Sequence, residues 1–167
     1  MFEEFLGIPA HPLVVHAAVV FVPLLALLTI GYALAAPIRR HTRWVLGLLA
    51  LGAPVAALLA KLSGDAFFDR MRAANRVTPE FVPTLETHQG FGDNTLWATI
   101  ALAIVALALV WFVPPTKTAE AGATEGGRPG RALTLTLQVL SLVAAVIAVY
   151  YVIRTGDSGA KAVWTGQ

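Results

Sequence analysis

HPLVVHAAVVFVPLLALLTIGYALAAPIR, residues His11–Arg39, decides the fold, because no charged side chain interrupts it between His16 and Arg39. A helix needs about 20 apolar residues to cross a hydrocarbon core of about 30 Å, and this run supplies them. Pro12 suits the first turn of such a helix, where its missing N–H would have no partner anyway. Glu3 and Glu4 stand where a signal peptide would be basic, and no small-residue cleavage pattern follows the run. The segment therefore reads as a retained membrane span.

Composition extends that reading to the whole chain. Of 167 residues 57% are hydrophobic and 13% charged, against about 25% charged in a soluble domain, and the mean hydropathy is +0.71. Too little polar surface exists to cover a soluble fold, so lipid must cover much of it. A net charge of +2 without basic patches interleaved with aromatics gives nucleic acid no footing. The absence of cysteine excludes disulfides, iron–sulfur ligation and thiolate catalysis.

Three further apolar segments follow the first, so that spans are expected at about 12–36, 44–62, 94–113 and 132–153. The alternating ten-residue pattern of a membrane β-barrel appears nowhere. The expectation is an all-α integral membrane four-helix bundle, a single domain over residues 1–167. Pro23 and Pro54 fall inside spans, where neighbouring helices tolerate a kink. Gly47 and Gly52 suggest close helix packing on one side of span two. PIRRHTR forms a tight turn, Ser63 to Asp93 a long loop, and the Gly/Pro-rich residues 114–131 a flexible linker without a function of their own. Lys and Arg divide evenly between the two sides, but Arg39, Arg40 and Arg43 crowd the shortest connection. That density places the first and third connections in the cytoplasm and both termini outside, as in a bacterial plasma (inner) membrane protein.

The two halves repeat a design. Ser63-Gly64-Asp65 ends span two and Thr155-Gly156-Asp157 ends span four, each after a basic residue, while histidines precede spans one and three. The chain thus reads as two repeated helical hairpins. Gly64 and Gly156 read as helix stops. Asp65 and Asp157 oppose the helix dipole there, so a histidine N–H or a basic side chain is expected to compensate them.

His41 belongs to a basic turn. His11, before Pro12, is biased out of the helical region and expected at the cap. His16 lies a turn inside the span, where ionisable groups mark function. Five residues separate the two by about 140° around a helix, so the pair is not the i, i+4 metal motif. His88, in THQGFGDNTLW, approaches the depth of His16 from another helix, with Asp93 about a turn further in. Two histidines on facing helices are what an axially ligated haem b requires, and Arg70, Arg72 and Arg76 could neutralise its propionates. The competing reading has these histidines bonded to Asp65, Asp157 or backbone carbonyls, tying the bundle ends together. The outer histidines suffice for one such haem, so a redox role would sit at the outer face or require a homodimer.

HPLVVH, the His-x-x-x-Gly of His88 to Gly92, and TGDSGAKAVW after span four together resemble a family of uncharacterised prokaryotic membrane proteins with the signature H-P-x-x-V-H-F-P. Ala17 stands where that family usually has Phe. The similarity covers about residues 8 to 166 except the linker. It implies a four-helix membrane domain, sometimes joined to or encoded beside redox modules such as Rieske proteins. It also directs attention to His11, His16, His88, Gly156, Asp157 and Gly159.

Three functions remain open: electron transfer through one haem b on His16 and His88; a non-catalytic accessory or assembly subunit of a redox or respiratory membrane complex; and a Zn or Cu site built from His11, His16, His88 and an Asp. An enzyme is not expected, since no activated nucleophile, phosphate-binding loop or deep carboxylate pair is present. Transport would need polar groups at the midplane. Thr29, Thr99 and Ser141 are instead expected to bond their own helix backbones.

Overall fold

The computed structural model describes residues 4–5, 8–115 and 130–164. The expected linker falls largely on 116–129, outside the described residues. Two short strands, β1 (Glu4–Phe5) and β2 (Ile8–Pro9), pair antiparallel with Glu4 opposite Pro9. Helices α1 (Ala10–Leu34), α2 (Arg39–Ala73), α3 (Val82–Phe112) and α4 (Arg131–Trp164) follow, with one 3-10 turn at Ala36–Ile38. All four are long and apolar enough to cross a membrane.

Each hairpin packs on the other to form a ring. α1 lies against α2 and α4, α3 lies against the same two, and α1 and α3 meet more sparsely across a diagonal. Small side chains fill the centre, with Ala26, Ala33, Ala50, Ala53, Ala103, Ala106, Ala145 and Ala148 buried beside Val22, Leu25, Leu46, Leu102 and Leu109. Alanine suits helices that associate by close van der Waals contact, because lipid tails offer no hydrophobic drive to pair. Gly47 and Gly52 do not share in this, since a side chain at either would meet nothing within 4 Å. The close packing comes from alanine.

Buried hydroxyls are satisfied locally. Thr29, Thr99 and Ser141 donate to the carbonyls of Leu25, Thr95 and Gln138 on their own helices, at 2.6, 2.7 and 2.7 Å. At the end opposite the histidines, Arg39 donates to the carbonyls of Tyr32 and Ala33, both at 2.8 Å, and Gln138 also donates to Ala33 at 2.8 Å. These donors serve the last carbonyls of α1, which have no partner within the helix. Tyr32 donates across to the Val113 carbonyl at 3.0 Å, holding the end of α3 to α1.

The structure corrects the element ends. No thirty-residue loop joins spans two and three, because both helices continue through it. α2 runs to Ala73 and α3 begins at Val82. Gly64 and Gly156 are therefore helical residues rather than stops. The stop of α2 is Asn75, at φ 53°, with Asn75 N–H donating to the Arg72 carbonyl and Arg76 N–H to the Met71 carbonyl. That is a Schellman cap, in which Asn replaces the usual Gly at the left-handed position. α4 likewise continues past Gly156 to Trp164, and His41 lies in the first turn of α2 rather than in a loop.

Candidate functional site

The site lies where α1 and α3 begin and where α2 and α4 leave the apolar zone. From Trp44 to Ser63 α2 rises about 30 Å, the thickness of a hydrocarbon core. Ser63 thus marks the level of the far boundary.

His11 sits in the first turn of α1 and leans on α2. Its Nδ1 is 3.1 Å from both the Ala60 carbonyl and Ser63 Oγ. A carbonyl only accepts, so Nδ1 carries the proton and Nε2 keeps a lone pair. Ser63 donates its own hydroxyl to Ala60 at 2.9 Å, leaving its oxygen as acceptor. Gly64 permits the approach, since a Cβ there would lie 3.0 Å from His11 Cε1. Phe67 stacks on the imidazole, with centroids 6.4 Å apart.

The serine and glycine contacts recur between α3 and α4. His88 Nδ1 lies 2.9 Å from Ser158 Oγ, and Ser158 donates to the Thr155 carbonyl at 3.0 Å. A Cβ on Gly159 would lie 3.0 Å from His88 Cε1. With the Ser158 hydroxyl donating to Thr155, its oxygen is left to accept from His88 Nδ1, the tautomer that keeps the lone pair on Nε2. The two imidazoles meet across the α1–α3 diagonal, with centroids 6.5 Å apart and ring planes at 73°.

This corrects the expected pairing. His16 is exposed, and its Nδ1 lies 2.6 Å from the Pro12 carbonyl of its own helix. The residue facing His88 is His11, because α1 already begins at Ala10. Pro12 fixes only its own first turn and leaves His11 inside the helix.

Asp65, Asp93 and Asp157 pair with lysines rather than with histidines. Lys61 on α2 reaches Asp65 at 2.7 Å and Asp93 on α3 at 3.0 Å, and Gln89 donates to Asp65 at 3.0 Å. Asp157 pairs with Lys161 at 2.8 Å. The lysine beside Asp157 holds its carboxyl by an i, i+4 contact, a pairing that spacing along a helix alone could have revealed. Thr95 and Thr155 share a 2.7 Å hydrogen bond that joins α3 to α4 below His88. Arg70, Arg72 and Arg76 are exposed at or beyond the end of α2, and Arg72 stacks over Phe68. A side chain at Gly156 would meet nothing within 4 Å, so on α4 the glycine against histidine is Gly159. Sequence reasoning placed Ser63 in the repeat but matched it to Thr155, and so missed Ser158 and both serine–histidine contacts; the shared Ser-Gly step was the available signal. Among the described residues, no three His, Asp or Glu side chains are grouped as metal ligands.

These features define a class: an integral membrane protein of four helices with paired, tautomer-fixed histidines at one end of its bundle. The chain belongs to the family described as Predicted membrane protein (DUF2231), whose model matches residues 7–167. No curated protein and no solved structure matches it.

Proposed function

We propose that the protein is a membrane-embedded electron-transfer protein binding one b-type haem, with His11 and His88 as axial ligands. One observation carries this reading: both imidazoles are held through Nδ1, which leaves Nε2 free of that contact, and the rings face each other from α1 and α3 with centroids 6.5 Å apart. Metal-ligating histidines characteristically donate their other ring N–H to a carbonyl or polar group, which fixes tautomer and orientation. An iron held between two ring nitrogens by bonds of about 2 Å would set the ring centroids at a separation of similar size. Held by His11 and His88, such a haem would supply one-electron ferric/ferrous chemistry.

The matching His–Ser–Gly contacts support a duplicated hairpin whose repeat aligns Ser63-Gly64 with Ser158-Gly159, three residues on from the Thr155-Gly156 alignment. The crowding of Arg39, Arg40 and Arg43 at the opposite end supports a cytoplasmic location for that end under the positive-inside rule. The histidine end and both termini then lie outside the plasma membrane, where a redox complex or a second copy could exchange electrons with the haem.

A reduced-minus-oxidised spectrum of membranes carrying the overexpressed protein tests the assignment. Soret and α-bands are expected in wild type and in His16→Ala, and neither in His11→Ala nor in His88→Ala. Membranes without these bands above background, in cells supplied with haem, would sink it.

The second reading is a non-catalytic accessory subunit whose histidines pin helices together. The contacts of His11 to α2 and of His88 to α4 favour it. On that reading His11→Ala lowers thermal stability and no cofactor accompanies the protein.

A further inference from the structure

We propose that the groove between α3 and α4 at the histidine end binds the phosphate of an anionic phospholipid. This groove is open to the outside, has a volume of about 240 Å³ and is lined in part by Ser158. Its α4 wall carries Arg154, Asp157 and Lys161, which fall on one face by helical spacing, and its α3 wall carries Thr84, Thr87 and Phe91.

Charge selects an anion. Asp157 pairs with Lys161 at 2.8 Å and also feels the charge of Arg154, so the wall carries two cations against one carboxylate. Arg154 has no carboxylate within ion-pair distance among the described residues. Its guanidinium instead lies over the Phe91 ring, 4.8 Å from the centroid. Stacking of that kind orients the planar fork while leaving its edge N–H groups to bind phosphate oxygens. Thr84 and Thr87 belong to the first turns of α3, where the helix dipole favours negative charge. Thr87 donates its hydroxyl proton to the Pro83 carbonyl at 2.7 Å, so the added attraction comes from the dipole.

Depth selects a lipid as the source of that phosphate. Arg154 directly follows Ile153, the last apolar residue before the charged turns of α4, so its guanidinium sits at the headgroup level. Below it Ile153, Tyr150 and Val146 are exposed on α4 and can carry acyl chains. A soluble phosphate would gain nothing from this apolar surface.

The test is native mass spectrometry of the detergent-purified full chain titrated with phosphatidylglycerol or phosphatidylcholine. Wild type is expected to retain one phosphatidylglycerol with a preference of about fivefold, the ratio one basic residue confers near an anionic lipid. Arg154→Gln should lose the preference, and Arg76→Gln, in the link beyond α2, should keep it. Thermal unfolding of each variant separates lost binding from lost folding; if Arg154→Gln fails to fold, Arg154→Lys serves, with the preference reduced but present. Equal retention of both lipids by wild type, or an undiminished preference in folded Arg154→Gln, overturns the proposal. So does displacement of the lipid by millimolar inorganic phosphate, which would mark a small-anion site.

Discussion

Gly64 and Gly159 hold the imidazoles where they are, and each makes a prediction whose sign is unusual. Glycine within a helix costs about 0.5–1 kcal/mol relative to alanine, so replacing it normally stabilises. Gly156→Ala should behave in that way, since a Cβ there meets open space. At Gly64 and Gly159 the added methyl would lie 3.0 Å from an imidazole carbon, closer than van der Waals contact. The ring must tilt, and its Nδ1 bond to Ser63 or Ser158 lengthens. Gly64→Ala and Gly159→Ala are therefore expected to melt below wild type in detergent and Gly156→Ala at or above it. Equal gains at all these positions would mean the rings are not held by their neighbours. Ser63→Ala should cost about 1 kcal/mol, the net value of one hydrogen bond, by the same measurement. At this scale the sequence was partly legible. The angle between residues five apart correctly separated His11 from His16, but the choice between them depended on where α1 begins. The residue before proline is biased away from helix, yet the first turn of a helix tolerates proline well, and the second effect prevails here.

Between elements, the decisive contact is the reach of Lys61 across the α2–α3 seam to Asp65 and Asp93. Lys61 is only 29% exposed, so its ammonium is screened less than a surface charge. Lys61→Met would leave two carboxylates facing one another at the membrane boundary. A loss of about 1–2 kcal/mol is expected in detergent unfolding, between the value of an exposed pair and that of a stranded charged group. Adding Asp65→Asn and Asp93→Asn should recover part of it, because the repulsion then disappears; if the triple variant melts no higher than Lys61→Met alone, the seam is not electrostatic. The ends of α2 and α3 were hidden from sequence for a related reason. Hydropathy falls at Lys61 because the chain leaves the lipid, and Gly64 then imitates a cap. The backbone nonetheless stays helical to Ala73, since polar side chains pair along and between these helices as well as they could in a loop. Asn75 was the available stop signal, and a glycine nearer the boundary masked it.

Across the whole molecule, the spans were legible because lipid demands apolar side chains all around a helix, and a run such as His16–Arg39 can satisfy little else. The histidine pair was not, because its members come from different hairpins and meet only through the packing of α1 against α3. Span number and pairing also leave open which end faces which compartment. Trp44 and Trp111 are exposed near the end opposite the histidines, and Trp anchors either interface equally, so only the placement of Arg39, Arg40 and Arg43 orients the bundle. The chain lacks cysteine, which permits a direct measurement. Asp69 and Arg40 are exposed at opposite ends of α2, and a helix of 35 residues extends about 50 Å, so these positions lie beyond the hydrocarbon on either side. With the histidine end outside, a membrane-impermeant maleimide should label Asp69→Cys in spheroplasts, and Arg40→Cys only after permeabilisation. The reverse pattern would invert the bundle and place the proposed haem at the cytoplasmic face. Labelling of both positions without permeabilisation would be incompatible with α2 crossing the bilayer at all.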